Sequence, residues 1–325
     1  MESRQLIDPM MDNMVGNTPL VPLSRLFTNT KGIEVFAKLE LMNPSGSVKD
    51  RIVVHILKEA IASGKLKPGM TVVEASTGNT GAALAYFCAR LGYRLILTTM
   101  AKVTEEKKNH MRMLGAELIV CPTEAAHGSP DHYVQRAFDI AASMKGDAFL
   151  VDQYDNPLNT EAHYLTTGPE IWRQMNGDID WFVTSGSTGG TVSGTARYLK
   201  EQDMRLKVLL PDPVGSVYFE YIRTGRVDHS VVKPYQVEGV GEDHITDNFD
   251  GRYIDEAMQY TDDDAFRMCQ ACARTEGILP GLSAGGNLAG VKFLVNQLTE
   301  PARIVTIIPD SGVKYLSKLL AYKGS

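Results

Sequence analysis

The chain has 325 residues, of which 43% are hydrophobic and 22% charged, and its formal net charge is −6. This composition is typical of a globular protein and excludes a mainly disordered chain, and the acidic balance does not favour binding to nucleic acid or to an anionic membrane. The length suits two domains, and four cysteines are too few for a disulfide framework, which indicates a reducing compartment.

The N-terminal segment Met1–Met14 has no basic patch leading into an apolar run, so it does not resemble a signal peptide. No stretch of the sequence approaches the roughly 20 apolar residues that a membrane-spanning helix requires. We therefore expect a cytoplasmic protein that acts on small molecules, with neither a membrane nor a nucleic acid as partner.

Short apolar runs alternate with helical patterns along most of the chain. The runs expected to form strands are 71–75, 94–98, 117–121, 149–152, 181–184, 207–210 and 303–308. A helical pattern follows Ser47. Further helical patterns cover 80–91, 104–114, 130–144, the segment after the strand 181–184 up to about 201, 217–224, 262–276 and 284–298. Strands alternating with helices of this length predict an α/β fold with largely parallel sheets and helices on both faces.

The segment from Asp212 to Asp250 interrupts this alternation. It is rich in glycine and proline and has little sustained periodicity apart from the short helical pattern 217–224. Long irregular connections in compact domains are often functional, so we expect this segment to contribute to a site.

Four loops rich in Gly, Ser, Thr and Asn precede predicted helices. Parallel sheets bind ligands at the carboxyl ends of their strands, where such loops lead into helices. In the first loop, Ser47 is a candidate N-cap, which places Lys49 in the first helical turn. The positive end of the helix dipole disfavours a cation there. Lys49 is therefore either a solvated surface lysine or a lysine whose pKa is lowered, as a Schiff-base lysine requires.

The second loop, Ala75–Gly81, follows a strand and opens a helix. Its hydroxyls and backbone N–H groups suit a carboxylate or phosphate, although the same pattern also serves as a tight turn with a capped helix. The fourth loop, Gly281–Asn287, has the same two interpretations, with Ser283 as the candidate cap.

The third loop, Ser185–Thr191, invites comparison with a dinucleotide fingerprint, with Asp212 as a ribose-binding acid. Its glycines do not have the G-x-G-x-x-G spacing, however. The loop offers hydroxyls, which suit a compact phosphate monoester better than a pyrophosphate.

Taken in order, these loops resemble those of the β-family (fold type II) of pyridoxal-phosphate (PLP) enzymes. The motifs are Gly46-Ser-Val-Lys-Asp-Arg51, Gly78-Asn-Thr-Gly81, His163-Tyr with Thr166-Thr, Thr188-Gly-Gly-Thr191 and Gly281-x-Ser-Ala-Gly285, and the resemblance runs from Gly16 to Gly312. Within that family the sequence is most similar to the catalytic core of cystathionine β-synthase, with cysteine synthase (O-acetylserine sulfhydrylase) as the near relative.

The resemblance implies two open α/β domains and a role for each motif. Lys49 would form the internal aldimine with PLP and then act as acid and base at the substrate Cα. Asn79 would bind the pyridine 3′ oxygen, Ser283 would meet the pyridine nitrogen, and the phosphate would be held by Ser187, Thr188, Gly189, Gly190 and Thr191. The substrate carboxylate would be held by Ser76, Thr77, Gly78, Thr80 and Gln153. No metal site is implied.

The implied reaction is β-replacement on L-serine or an O-activated L-serine through an aminoacrylate, with a thiol as nucleophile. The run Val237–Asp243 resembles the corresponding loop of the cystathionine synthases. This resemblance makes Gly239 and Glu242 candidate substrate-binding residues and implies homocysteine as the nucleophile and L-cystathionine as the product. Sulfide with O-acetylserine or O-phosphoserine, an amine-accepting diamino-acid synthase and an NAD(P)-dependent oxidoreductase remain alternatives.

The sequence departs from the usual family pattern in three ways. Glu242 stands where animal relatives have an aromatic residue, Ser187 replaces a glycine, and Ser76-Thr77 reverses the common order. The first departure leaves recognition of the second substrate open, together with the role of His127 at the substrate entrance.

The resemblance also implies a domain organisation. A smaller mobile domain, 47–148, would carry the carboxylate loop, and 1–46 with 149–325 would form a larger domain with the phosphate loop. We expect neither a haem-binding N-terminal segment nor a C-terminal regulatory domain, and we expect a homodimer. Cys269-Gln-Ala-Cys272 lies in a helical pattern without a second pair and is expected to be structural.

Overall fold

A computed structural model describes residues 9–29, 31–126 and 128–322, except for the side chains of residues 9, 10 and 12. The strands are β1 (Leu20–Pro22), β2 (Ile33–Leu39), β3 (Thr71–Ala75), β4 (Arg94–Met100), β5 (Glu117–Cys121), β6 (Ala148–Leu150), β7 (Trp181–Val183), β8 (Lys207–Pro213), β9 (Glu256–Tyr260) and β10 (Ala302–Ile308). The helices are α1 (Pro9–Met14), α2 (Lys49–Ala62), α3 (Asn79–Leu91), α4 (Glu105–Met113), α5 (Tyr133–Ser143), α6 (Leu158–Ala162), α7 (Gly168–Gln174), α8 (Gly190–Gln202), α9 (Tyr218–Thr224), α10 (Asp262–Glu276), α11 (Leu282–Gln297) and α12 (Leu316–Ala321).

The chain divides into two compact units. The first contains the described part of Met1–Val15 together with Asn43–Asn159, and the second contains Gly16–Met42 and Thr160–Ser325 up to residue 322. The mobile domain 47–148 expected from the sequence stays a prediction.

The first unit is built on a four-stranded parallel sheet in the order β5-β4-β3-β6. The central strand β3 is buried at every position, because it has a neighbouring strand on each side and helices packed against it. Helix α2 buries Ile52, Val53, Ile56 and Leu57, which recur at helical spacing. The unit therefore presents β3, with the loop that follows it, at the centre of its sheet.

The second unit is built on a six-stranded sheet in the order β1-β2-β10-β7-β8-β9. Strand β1 runs antiparallel to β2, and the other neighbours are parallel. Helix α11 is buried along most of its length, which its small residues permit. A Cβ added at Gly285 would lie 2.2 Å from the Ala265 carbonyl oxygen, and one at Gly290 would lie 2.3 Å from the Pro211 ring. Only glycine allows α11 to approach its neighbours this closely.

The predicted α/β class, with largely parallel sheets, is confirmed. The runs predicted as strands all form strands, with ends that differ by three residues at most. Three further strands were not predicted from the sequence: β1, β2 and β9. Two of them, β1 and β9, lie at sheet edges. Strand β1 is only three residues long, and polar residues interrupt the apolar pattern of β9, Glu256-Ala-Met-Gln-Tyr260.

Candidate active site

Lys49 is the first residue of α2 and is half-buried. The expected N-cap, Ser47, lies one residue before the N-cap position, which Val48 occupies, yet its Oγ accepts the Lys49 N–H at 3.3 Å. The next residue, Asp50, is buried and accepts the Ser45 backbone N–H at 2.7 Å together with the Ser45 hydroxyl. These bonds within residues 45–50 fix the backbone from which the Lys49 side chain extends.

Residues 76–80 of the second loop are here called the asparagine loop. It connects β3 with α3, whose first residue is Asn79. The buried Ser76 Oγ accepts the backbone N–H of Gly81 at 2.8 Å and that of Gly78 at 3.3 Å. Ser76 therefore serves as an acceptor for the N-terminal amides of α3, which leaves its own O–H to donate.

Thr80 and Gln153, both predicted to bind substrate, contact each other in the first unit. The Thr80 hydroxyl donates to Gln153 Oε1 at 2.6 Å, and both side chains are buried. Gln153 Nε2 donates to the Ala75 carbonyl at 3.1 Å and to the Glu74 carboxyl at 3.3 Å. Since these acceptors engage both of its N–H groups, Gln153 braces the asparagine loop from within the unit.

In the second unit, residues 186–191, here called the glycine loop, lead from β7 to α8. Gly189 has φ +84°, and a Cβ placed there would lie 2.6 Å from the backbone of Phe249. The first turn of α8 has no side-chain cap, so no capping side chain occupies its backbone N–H groups. The loop that precedes this turn is built from glycine and from the buried Thr188. An uncapped helix N-terminus at a glycine turn is suited to holding an anion.

Residues remote in sequence fix the glycine loop. The Tyr218 hydroxyl donates to the Ser187 carbonyl, and Thr246 Oγ1 donates to the Thr188 carbonyl at 2.9 Å. The ring of Tyr218 stacks on Phe249, with centroids 4.1 Å apart. Sequence reasoning missed all three residues, because they lie within or next to the irregular segment 212–250 and carry no motif.

The sequence assigned His163 no role beyond its place in the His163-Tyr…Thr166-Thr motif. It is fully buried, with Nδ1 2.8 Å from Thr167 Oγ1 and Nε2 3.1 Å from Thr191 Oγ1 of the glycine loop. Residues 163–167 form a π-helical turn between α6 and α7, a distortion often found at functional sites. His163 thus orients the Thr191 hydroxyl, and the His-Tyr…Thr-Thr motif was the signal that could have indicated this.

Glu242 lies beside the glycine loop. Its Oε1 accepts the Ser187 hydroxyl at 2.8 Å, and its backbone N–H donates to Ser216 Oγ at 3.1 Å. Burial, and then the negative charge of Glu242, raise the pKa of Tyr235. The two departures from the family pattern in this unit, Ser187 and Glu242, are therefore a hydrogen-bonded pair.

Gly239 precedes this pair in an exposed turn with φ +81°, where a Cβ would meet no neighbouring atom. A side chain is disfavoured there by the left-handed backbone alone. Ser283 is buried in the first turn of α11, whose N-cap position is Gly281, so the interpretation of Ser283 as the cap is wrong.

Asp212, the candidate ribose-binding acid, lies fully buried in β8. Its Oδ2 accepts the Phe219 backbone N–H at 2.8 Å, so it binds an N-terminal amide of the short helix α9. Burial raises the pKa of Asp212 to about 6. A carboxylate buried in this way is poorly placed to bind a ribose, which argues against the dinucleotide interpretation.

Cys269 and Cys272 are buried in α10, and burial raises the pKa of each thiol to about 12. Such thiols are packing groups. His127 lies outside the described residues. Among the helices that the structure describes, none combines the length and the apolar character needed to cross a membrane.

The glycine loop fits a phosphate monoester such as that of PLP. The close approach of Gly189 to Phe249 leaves no space for a side chain, the α8 amides face a site without a capping side chain, and Thr191 is oriented by His163. The residues that would hold such a group are Thr188, Gly189, Gly190 and Thr191, which need no cationic side chain because amides and hydroxyls supply the donors.

Comparisons with known proteins agree with this geometry. A family model described as pyridoxal-phosphate dependent enzyme matches residues 11–310. Cysteine synthase 1 of Neurospora crassa is 38% identical over 317 residues, which cover 95% of this chain and 82% of that protein. The O-acetylserine dependent cystathionine beta-synthase of Bacillus subtilis is 35% identical over 311 residues, 96% of each chain.

Cystathionine beta-synthase of Saccharomyces cerevisiae is 39% identical over 320 residues, which cover 95% of this chain but only 62% of the yeast protein. The family model spans most of the chain, and the relatives exceed 30% identity over nearly all of it. The chain therefore belongs to the pyridoxal-phosphate dependent enzymes, in the group that contains cysteine synthases and cystathionine β-synthases, and PLP is its cofactor.

Proposed function

We propose that this enzyme catalyses β-replacement on L-serine or an O-activated L-serine, with homocysteine as the nucleophile and L-cystathionine as the product. The names of its relatives support the reaction class, since they include cysteine synthase and cystathionine beta-synthase. PLP, when bound, would withdraw electrons from the substrate Cα and thereby acidify the Cα proton, whose removal allows the β substituent to leave.

The chain's own residues would divide the remaining work. Lys49 binds the cofactor covalently and moves the Cα proton, Asn79 holds the 3′ oxygen, and Ser283 faces the pyridine nitrogen. Thr188, Gly189, Gly190 and Thr191, with Ser187, hold the phosphate. The neutral hydroxyl of Ser283 does not enforce protonation of the pyridine, which favours prompt loss of the β substituent over a persistent carbanion.

The asparagine loop would hold the substrate carboxylate. Ser76 supports this role because its oxygen already accepts two backbone N–H groups, so its proton is available for an anion. The Thr77 hydroxyl and the amides that follow add further donors. Gln153 contributes by holding Thr80, since its own N–H groups are engaged by Ala75 and Glu74.

The observation that favours homocysteine is the carboxylate of Glu242, fixed by Ser187 at the glycine loop. Homocysteine is a zwitterion whose α-ammonium group a carboxylate attracts when it lies nearer than the α-carboxylate, whereas the hydrosulfide ion carries only a negative charge, which a carboxylate repels. Gly239, which is exposed in the same Val237–Asp243 segment, would contact the second substrate.

A matrix of donors and nucleophiles tests this proposal. Serine, O-acetylserine and O-phosphoserine are each combined with homocysteine, sulfide and a diamino nucleophile, and kcat/KM is measured for every pair. In Glu242→Gln, which keeps a hydrogen-bond acceptor but removes the charge, kcat/KM for homocysteine should fall about tenfold, equivalent to about 1.4 kcal/mol, while that for sulfide should not fall. Asp243→Asn removes a neighbouring exposed charge and is the control, and Lys49→Ala should show no turnover.

The same matrix separates the alternatives. Turnover with sulfide that equals or exceeds turnover with homocysteine identifies a cysteine synthase and contradicts the proposed nucleophile. Preference for an amine identifies a diamino-acid synthase, for which the attraction to Glu242 would be the same. Turnover by Lys49→Ala, or failure of the protein to bind PLP, would contradict the assigned catalytic residue.

We also infer a cytoplasmic homodimer. The exposed side chains of Val313, Leu316 and Leu320, in and before α12, offer an apolar patch that a second copy would cover. Light scattering of the purified protein, with Leu320→Lys expected to shift it towards the monomer, measures the oligomeric state.

A further inference from the structure

The asparagine loop is supported from behind by a carboxyl group that the sequence did not single out. Glu74, on β3, is 2% exposed. Its Oε2 accepts the Asp152 backbone N–H at 2.8 Å, and its Oε1 accepts Gln153 Nε2 at 3.3 Å. Within the described part of the chain, no cationic side chain forms an ion pair with Glu74, so ionisation of Glu74 is opposed by burial.

Glu74 also holds the backbone that carries Gln153. Asp152 has φ +57°, a left-handed conformation that costs a non-glycine residue energy. The N–H of Asp152 is bound by Glu74, and its carbonyl accepts the Asn156 N–H at 2.9 Å. The turn so formed directs Gln153 towards β3, where its amide meets Ala75 and Thr80.

The three side chains Glu74, Gln153 and Thr80, here called the Glu74 network, form one hydrogen-bonded series that ends in the asparagine loop. The Ala75 carbonyl and Glu74 orient the NH₂ group of Gln153, so the amide oxygen must face Thr80. Any change in the attraction between Glu74 and Gln153 is therefore transmitted to the Thr80 hydroxyl.

We propose that Glu74 is a positioning residue for the asparagine loop: its uncharged carboxyl sets the orientation of Gln153 and Thr80, and its ionisation weakens binding of the substrate carboxylate. Ionisation would draw Gln153 Nε2 towards Glu74 and thereby move Gln153 Oε1 away from the Thr80 hydroxyl that it accepts. It would also put an uncompensated negative charge beneath a loop that binds an anion. The part concerning the substrate rests on the proposed function.

The charges around Glu74 agree with an uncharged carboxyl at neutral pH. Burial raises the pKa of Glu74 to about 8, and the negative charge of Asp152 raises it further, against the N–H donors of Asp152 and Gln153. The elements packed against β3 are β4, β6, α3 and α5, and Asp152, which follows β6, carries the charged group that acts on Glu74.

The first arm of the test measures folding and needs no substrate. Because the folded state binds the Glu74 proton more tightly than the unfolded state, stability falls as pH rises from about 4.5 to about 8. The PLP-loaded enzyme and Glu74→Gln are unfolded with urea across this range. The folding equilibrium constant of the wild type should fall about a thousandfold relative to that of Glu74→Gln. Glu59→Gln, the same change at an exposed site of the same unit, should follow the wild type.

The second arm measures binding of L-serine and O-acetylserine to the PLP-loaded enzyme through the cofactor absorption, from pH 7 to pH 9.5. Over this pH range, the Kd of the wild type should rise by a factor about ten times larger than the factor for Glu74→Gln. Titrations of other groups are common to both proteins and cancel in this ratio. If Glu74→Gln does not fold, Thr80→Val replaces it and should lose the same pH dependence, while Thr80→Ser should restore it.

The outcomes separate the two proposals. Equal pH profiles for wild type and Glu74→Gln in both arms overturn the role of Glu74. A difference in the folding arm with equal binding profiles shows a buried acid without a positioning role, and this also overturns the proposal. If neither L-serine nor O-acetylserine binds at any pH, the proposed function is contradicted, while the folding arm still measures the proton on Glu74.

Discussion

The asparagine loop and the glycine loop both join a central parallel strand to a helix, yet they are stabilised in opposite ways. In the asparagine loop, Ser76 accepts the helix amides and Gln153 braces Thr80, so side chains near the loop hold it together. In the glycine loop, the helix amides have no side-chain cap and Gly189 presses on Phe249. The asparagine loop thus presents hydroxyls, and the glycine loop presents backbone N–H groups.

This difference matches the anions that the two loops are proposed to bind. A carboxylate is planar and is recognised by a few directed hydroxyl and amide donors. A phosphate has more oxygens and a higher charge, and it suits several amides converging at a helix N-terminus. Substitutions at equivalent positions of the two loops should therefore have unequal effects.

The largest difference is expected at the N-cap glycines of α8 and α3. Gly189→Ala places a Cβ 2.6 Å from the Phe249 backbone at φ +84° and should lower the free energy of unfolding by about 2–5 kcal/mol. PLP binding, followed by the visible absorption of the reconstituted protein, should be lost with it.

Gly78→Ala is the matched change in the asparagine loop. A Cβ there meets no atom within 4 Å, so the free energy of unfolding should change by less than about 1 kcal/mol. Equal losses of stability in the two variants, measured by urea denaturation, would contradict the distinction between the loops.

The next largest difference is expected between the serines of the two loops. Ser76→Ala removes the acceptor of two helix amides and should lower the free energy of unfolding by about 1–2 kcal/mol. Ser187→Ala removes a bond to the half-buried Glu242 and should cost less than about 0.5 kcal/mol.

Denaturation of both variants without added substrate provides the comparison. If Ser187→Ala proves the more destabilising change, the Ser187–Glu242 pair holds the glycine loop in place, and the substrate-specific role proposed for Glu242 loses its support.

The sequence predicted the loops well because their residues are contiguous. Lys49, Ser76 to Thr80 and Ser187 to Thr191 fall within short motifs between strands and helices, and the structure places each at the start of a helix. Their roles rest on chemistry that the residue types and positions suggest, and they stay predictions.

The supporting residues could not be predicted in this way. Tyr218, Thr246 and Phe249 reach the glycine loop from the irregular segment, and pairing over such a distance in sequence depends on tertiary packing. Glu74 lies inside an apolar strand, where periodicity reveals that a residue is buried but not which partner it has. Edge strands such as β9 were missed because only one neighbour covers them.

The smallest expected effect concerns a residue that supports the glycine loop from outside it. Tyr218→Phe keeps the ring stacked on Phe249 and removes the hydroxyl that donates to the Ser187 carbonyl. Because this leaves one partly buried carbonyl without that donor, the free energy of unfolding should fall by about 1 kcal/mol.

Tyr221→Phe is the control, since the Tyr221 ring packs edge-on to the same Phe249. It should leave stability within about 0.5 kcal/mol of the wild type. If the two variants were equally stable, the hydroxyl of Tyr218 would contribute nothing, and the glycine loop would depend on its contact with Phe249 and on Thr246 and His163 instead.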